Sequence, residues 1–262
     1  MKVGWIGLGQ MGEPFATKVV EAGHQLVGHS RAGKPREVVT RAGGRLTSSV
    51  AEAVAGAEVV GVCLFDDAQV RAVLTDEVLA ALAPGAVVAL HSTGVPTVVE
   101  DLAARAPDGV SVLDATFSGT AQDAAEGRIR LFVGGDEAVL ERARPVLSTY
   151  CNPIMHVGGV GAARRLKLIN NLLFAAQVSL AAEGLKAAEQ MGLPLKTAVQ
   201  ALRISSGGSF ALEPFENGEI DHMLERLAHY LDKDVSAARA AAKEEGLDLA
   251  LLSAAAARWS LD

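Results

Sequence analysis

Up to about Gly158, apolar residues fall in short β-branched runs separated by stretches of helical spacing; beyond Gly161 they spread through a long tract rich in Ala and Leu. The first texture is that of βαβ units wound around a parallel sheet. It predicts strands at Lys2 to Ile6, Gln25 to Gly28, Glu58 to Leu64, Ala86 to Leu90, Ser111 to Asp114 and Leu131 to Val133, with a weaker one at Pro153 to Val157. Most are near-continuously apolar, as strands covered on both faces must be.

From Ala162 to Met191 there is no proline and one glycine, Gly184. One long helix is expected there, about 45 Å at roughly 1.5 Å per residue, too long for a crossover and suited to the spine of a second domain. Gly192 ends it. Further helices are predicted at Leu195 to Leu202, Asp221 to His229, Asp232 to Glu245 and Leu247 to Trp259, with no strand among them.

The opening apolar strand runs straight into Gly7-Leu8-Gly9-Gln10-Met11-Gly12, a GxGxxG that begins a helical segment. Gly7 permits the tight turn, Gly9 lets a pyrophosphate approach the backbone, and Gly12 lets the helix pack on the strand with its N-terminal N–H groups facing the phosphates. The fold class is therefore an α/β Rossmann domain with a mostly parallel doubly wound sheet, residues 1–160, followed by an all-α domain, residues 161–262. An NAD-type site places Asp or Glu about 20 residues past such a turn, at the end of the second strand. This chain has Gly28-His29-Ser30-Arg31 there, with Lys34 close behind. With no carboxylate to repel it, and with Ser30, Arg31 and Lys34 to receive it, the 2′-phosphate of NADP is expected in preference to NAD.

Composition narrows the function. The chain has 262 residues, half of them hydrophobic, enough for two ordinary domains. A net charge of −7 argues against nucleic acid as partner, because such proteins neutralise phosphates with a dense basic face. Aromatics at 4% take away the stacking platforms of single-strand binders. No apolar run is read as approaching the roughly 20 residues of a membrane span, and Lys2 leads at once into a strand, so a cytoplasmic protein is expected. Cys63 and Cys151 lie in apolar segments without metal-ligand spacing, as buried free thiols do.

Four ordered blocks resemble the β-hydroxyacid dehydrogenase family, which includes 3-hydroxyisobutyrate dehydrogenases and the glyoxylate and succinic semialdehyde reductases. They are Gly7 to Gly12; His91-Ser92-Thr93-Gly94-Val95-Pro96; Asp114 to Thr120 with Ala124 to Gly127 and Phe132 to Gly135; and Gly159-Val160-Gly161 leading into Lys167-Leu168-Ile169-Asn170-Asn171. The resemblance implies that Leu64, Phe65 and Thr93 line the cofactor site, with Thr93 near the nicotinamide. It implies that Ser118, Gly119 and Thr120 hold a substrate carboxylate, and that Lys233 reaches the active site from the helical domain, touching substrate and cofactor. Thr116, Thr120 and Asp123 stand where the family loop usually has Pro and two glycines. The glycine- and aspartate-containing tail that commonly follows in the family is not found after Arg258-Trp259.

Hydride transfer between nicotinamide and a carbonyl needs a group that gives a proton to oxygen in one direction and takes it in the other. Lys167 can do both; an apolar helix would lower its pKa, and Asn171, one turn on, would orient substrate or lysine. Composition alone also allows Lys167 to share a solvated face with Arg164 and Arg165. The expected activity is hydride exchange between NADP and a small β-hydroxy acid or the corresponding semialdehyde or 2-oxo acid. The alternatives are an imine reductase, whose relatives usually lack this lysine, and a non-catalytic NADP-binding protein. A homo-oligomer through the helical domain is expected from the long apolar helix.

Overall fold

Eight strands build one sheet: β1 (Lys2–Ile6), β2 (Gln25–His29), β3 (Arg45–Thr47), β4 (Val59–Val62), β5 (Val87–Leu90), β6 (Ser111–Ser118), β7 (Ile129–Gly134) and β8 (Cys151–Gly158). Their order across the sheet is β3-β2-β1-β4-β5-β6-β7-β8. The first six are parallel; β7 reverses against β6, and β8 follows β7 in parallel. The chain winds outward from β1 in both directions, so a switch point lies between β1 and β4. The structure is a computed structural model that describes residues 1–30 and 37–259, and it divides into two compact units, Met1–Lys167 and Leu168–Asp262.

Helices cover the sheet in the first unit: α1 (Gly12–Glu21), α2 (Glu37–Arg41), α3 (Val50–Val54), α4 (Asp67–Val73), α5 (Asp76–Ala80), α6 (Pro96–Arg105), α7 (Ala121–Ala125) and α8 (Glu137–Leu147). The strand period of two sorts side chains onto two cores. Val3 and Trp5 of β1 join Phe15 and Val19 of α1 on one face, while Ile6, Val60, Val62 and Leu90 meet Val99 and Leu102 of α6 on the other. Each fully buried aliphatic side chain contributes about 1.5–3 kcal/mol.

Six of the predicted strands are present within a few residues, and the weaker one, at Pro153 to Val157, lies inside β8. Two differences have physical reasons. β3 was not foreseen, because three residues with an exposed Arg45 carry too short an alternation to read. β6 runs four residues past Asp114, through Thr116, a polar residue that breaks the apolar run yet is fully buried because its hydroxyl donates to Ala163 O at 3.0 Å.

Helix α9 (Ala162–Gln190) leaves the first unit and runs on into the second, which adds α10 (Leu195–Arg203), α11 (Ile220–Glu244) and α12 (Ala250–Ala255). Two helices predicted around residue 230 are one continuous α11, because Leu224, Leu231, Val235, Ala238 and Ala242 form a single buried seam through the supposed break. The last predicted helix is shorter than expected, and Trp259 beyond it is buried, its Nε1 donating to Ala175 O and Ser179 Oγ of α9, both at 2.9 Å. By length and composition alone α9 is long and apolar enough to cross a membrane, which corrects the reading that no run came near that length. Leu172, Ala175, Val178, Ala182 and Leu185 supply part of that apolarity as core.

Candidate active site

The GxGxxG turn joins β1 to α1 at the switch point. Gly7 has φ +94, and a Cβ there would strike the Cys63 carbonyl; a Cβ on Gly12 would strike the Gly7 carbonyl. Both glycines are thus demanded by close backbone packing. Over Gly9, by contrast, a Cβ would meet nothing within 4 Å among the described residues, so the turn has open space where a phosphate must come near. No side chain caps α1 at Met11, and the helix N-terminus meets the turn as an anion-binding end. Leu8 is buried, Gln10 exposed and Met11 half-buried.

Beside the turn is a cavity of about 350 Å³ lined by Gly7, Gly9, His29, Ser30, Leu64, Phe65 and Gln69 among others. It brings together the turn, the end of β2 and the β4–α4 loop, where a dinucleotide crosses such a sheet. Cys63, Ala72 and Val73 also line it; these three, with His29 and Gln69, were not foreseen, and Gln69, Ala72 and Val73 sit in ordinary helical spacing on α4 that carries no motif. The cavity wall is held by hydrogen bonds: Leu64 N–H donates to Ser92 Oγ at 2.9 Å, and Phe65 N–H to Gln69 Oε1 at 3.3 Å. Arg31 and Lys34 lie outside the described residues, while Ser30 borders the cavity. Cys63 is half-buried, not fully buried as its apolar segment suggested, and desolvation pushes its thiol up to about 12, so it stays protonated near neutral pH.

Thr93 follows β5 in the loop before α6, half-buried. Further across the same edge, β6 ends at Ser118, followed by Gly119 and Thr120. Thr120 is the N-cap of α7 in a capping box: its N–H and its hydroxyl both donate to Asp123 Oδ2, at 2.8 and 2.7 Å. These bonds, with Arg128 nearby, hold the Asp123 carboxyl below its usual range. A carboxylate from the chain itself therefore occupies both Thr120 donors.

Lys167 is half-buried in the second turn of α9. In the second unit, Asn171 is buried on the same helix and its Nδ2 donates to Asp234 Oδ2 of α11 at 2.8 Å, next to half-buried Lys233. Asn171 thus joins α9 to the turn of α11 that bears Lys233. Arg164 does not belong to a solvated face, as composition allowed: it is completely buried.

The sequence profile of the NAD binding domain of 6-phosphogluconate dehydrogenase matches residues 2–158, and one described as NAD-binding of NADP-dependent 3-hydroxyisobutyrate dehydrogenase matches residues 161–261. An oxidoreductase of Mycobacterium tuberculosis is 33% identical over 98% of this chain and 91% of its own. An NAD-dependent L-serine dehydrogenase of Pseudomonas aeruginosa is 36% identical over 82% of this chain and 73% of its own. A solved structure of Mycobacterium tuberculosis 3-hydroxyisobutyrate dehydrogenase with L-serine superposes with a TM-score of 0.87 at 30% identity, covering 98% of this chain and 92% of that one. On these matches and this fold, the chain belongs to the 3-hydroxyisobutyrate dehydrogenase family and is an NAD(P)-dependent dehydrogenase acting on CH–OH groups of hydroxyacids.

Proposed function

We propose that the protein interconverts a small β-hydroxy acid and its semialdehyde, with 3-hydroxyisobutyrate and L-serine as first candidates, and that it uses NADP in preference to NAD. The observation that carries the reading is the Gly7–Gly12 turn, opening onto the cavity at the switch point, in a chain whose fourth block supplies Lys167. The Gly7–Gly12 turn and the cavity beside it would hold the dinucleotide, whose nicotinamide would supply hydride exchange with the carbinol carbon. Lys167 Nζ takes the hydroxyl proton in oxidation and gives it back in reduction. Asn171, fixed by Asp234, keeps its helix face in register with Lys233. Since Asp123 holds both Thr120 donors, the substrate carboxylate falls to Ser118 and the Gly119 N–H. The gap left by a missing carboxylate at the end of β2, where His29 and Ser30 border the cavity, favours the 2′-phosphate, with Arg31 and Lys34 next in sequence. A cytoplasmic setting fits a nicotinamide-linked metabolic step.

The lysine favours alcohol over imine chemistry, and a substrate panel separates these from a non-catalytic binder. Reduction of NADP⁺ and NAD⁺ is followed with 3-hydroxyisobutyrate and L-serine, and oxidation of the reduced cofactors with small aldehydes and a cyclic imine. Turnover of a β-hydroxy acid is expected, with NADP bound about 10- to 150-fold more tightly than NAD, the worth of a charge-assisted phosphate contact. Turnover of the imine alone, or no turnover with tight binding, overturns the substrate reading; equal affinities overturn the cofactor preference.

A further inference from the structure

Arg164 has no part in the chemistry above, yet it ties together four separate pieces of the first unit. Its Nη1 donates to Asp67 Oδ1 at 2.9 Å and to Val95 O at 2.8 Å, and its backbone N–H donates to Asp114 Oδ2 at 2.8 Å. Asp67 closes the circuit by accepting from Val95 N–H on Oδ2 at 2.8 Å. Gly94 lies so near that a Cβ there would overlap the Asp67 carboxylate. The start of α4, the loop between β5 and α6, the middle of β6 and the first turn of α9 thus share one anchor.

As a source of stability this arrangement is poor. Among the described residues, Arg164 Nε and Nη2 and Asp114 Oδ1 are buried without a hydrogen-bond partner, with Nε 3.8 Å from Oδ1. Burial also pushes the Asp114 carboxyl up to about 6, against the pull of Arg164. Buried charge clusters of this kind are often no better for folding than well-packed apolar groups of the same volume. What a rigid guanidinium does well is set geometry. Here the geometry concerns the reactive half of the cofactor. In a doubly wound sheet the adenosine ribose lies at the end of β2 and the dinucleotide crosses the switch point toward β4 and β5. Val95 closes the loop that carries Thr93, and Lys167 stands three residues, about one helical turn, beyond Arg164.

We propose that Arg164 and Asp67 are positioning residues for hydride transfer, holding the Thr93–Gly94 loop and the helix turn that leads to Lys167 to a common anchor. The proposal rests on the reading of Thr93 and Lys167 as active-site residues given above, and not on any particular substrate or on the choice between NADP and NAD.

Asp67→Asn tests it. The side chain keeps its shape and still accepts from Arg164 on Oδ1, while an amide nitrogen in the other position cannot accept from Val95 N–H. Whichever of NADPH and NADH binds more tightly is titrated into wild type and variant by nicotinamide fluorescence. The expected result is an affinity within about threefold of wild type, together with a lower fluorescence anisotropy of the bound nicotinamide and a kcat down by about 10- to 100-fold, as a small misplacement of reacting groups produces. Unchanged anisotropy overturns the proposal even if no substrate is in hand, as does an unchanged kcat or a loss of kcat matched by an equal loss of cofactor affinity. If Asp67→Asn fails to fold, Asp67→Ala removes the acceptor without setting an amide against the Val95 N–H and gives the same readouts.

Discussion

A side chain that shuttles a proton must touch the reacting oxygen, and its loss should fall on turnover more than on cofactor binding. Lys167→Ala is therefore expected to lower kcat by about 10² to 10⁴ with cofactor affinity nearly unchanged. Lys167→Arg should not restore activity, because a guanidinium keeps its proton near neutral pH. Steady-state kinetics on a turned-over substrate decide it, and a variant retaining more than about a tenth of wild-type kcat removes Lys167 from the proton-transfer role. Residue by residue, the sequence was most legible where absence matters. Gly7 and Gly12 are glycines because backbone fills the space a Cβ would need, and that shows in a motif. Arg164 and Asp67 were not legible, because their meaning lies in contacts across 97 positions of chain and an arginine beside another arginine reads as a solvated face. Thr120 was legible only in part, since Asp123 as an internal competitor emerges from helix capping and not from the loop's own composition.

Elements were readable where one face of a strand or helix repeats, and less so where a polar residue interrupts. Thr116 hid the second half of β6, and the continuous seam of α11 was lost across Tyr230 for the same reason. A second polar interruption, His91 at the end of β5, holds elements together. It is buried against Trp5 of β1, Phe15 of α1 and Phe117 of β6; its Nδ1 donates to Ala115 O at 2.7 Å, and its Nε2 then accepts from the Tyr150 hydroxyl at 3.0 Å. Burial, partly offset by the Ala115 bond, holds the imidazole at about 4 instead of 6.5. The unfolded chain therefore binds more protons between these values, so this contribution is complete above about pH 6.5 and is lost as pH falls toward 4. Asp114 works the other way: raised to about 6, it is a cost that grows as pH rises from 3.8 to 6, so the two windows partly cancel. The difference in unfolding free energy between wild type and His91→Gln isolates the histidine. Urea denaturation should show that difference shrinking by up to about 3 kcal/mol between pH 6.5 and 4. A difference independent of pH would mean that the ring titrates alike in folded and unfolded chains.

At the scale of the whole molecule, α9 presents Leu166, Ile169, Leu173 and Leu180 as exposed apolar side chains, three of them seven residues apart. A stripe at that spacing on one helix suits a second helix alongside it. We propose that a second copy of the chain covers it. Light scattering at micromolar concentration should give at least twice the chain mass of 27.1 kDa, and Leu173→Glu should lower it; a monomer mass for the wild type would refute this. The division between the compact units falls inside α9, after Lys167, and no local pattern announces it. Trp259, buried by its bonds to Ala175 and Ser179, has a consequence of its own. With Trp5 it makes up the chain's two tryptophans, one in each unit, so Trp5→Phe leaves tryptophan emission from the helical unit alone and Trp259→Phe leaves it from the sheet. The order in which the two halves melt can be watched through the protein's own light, without a dye.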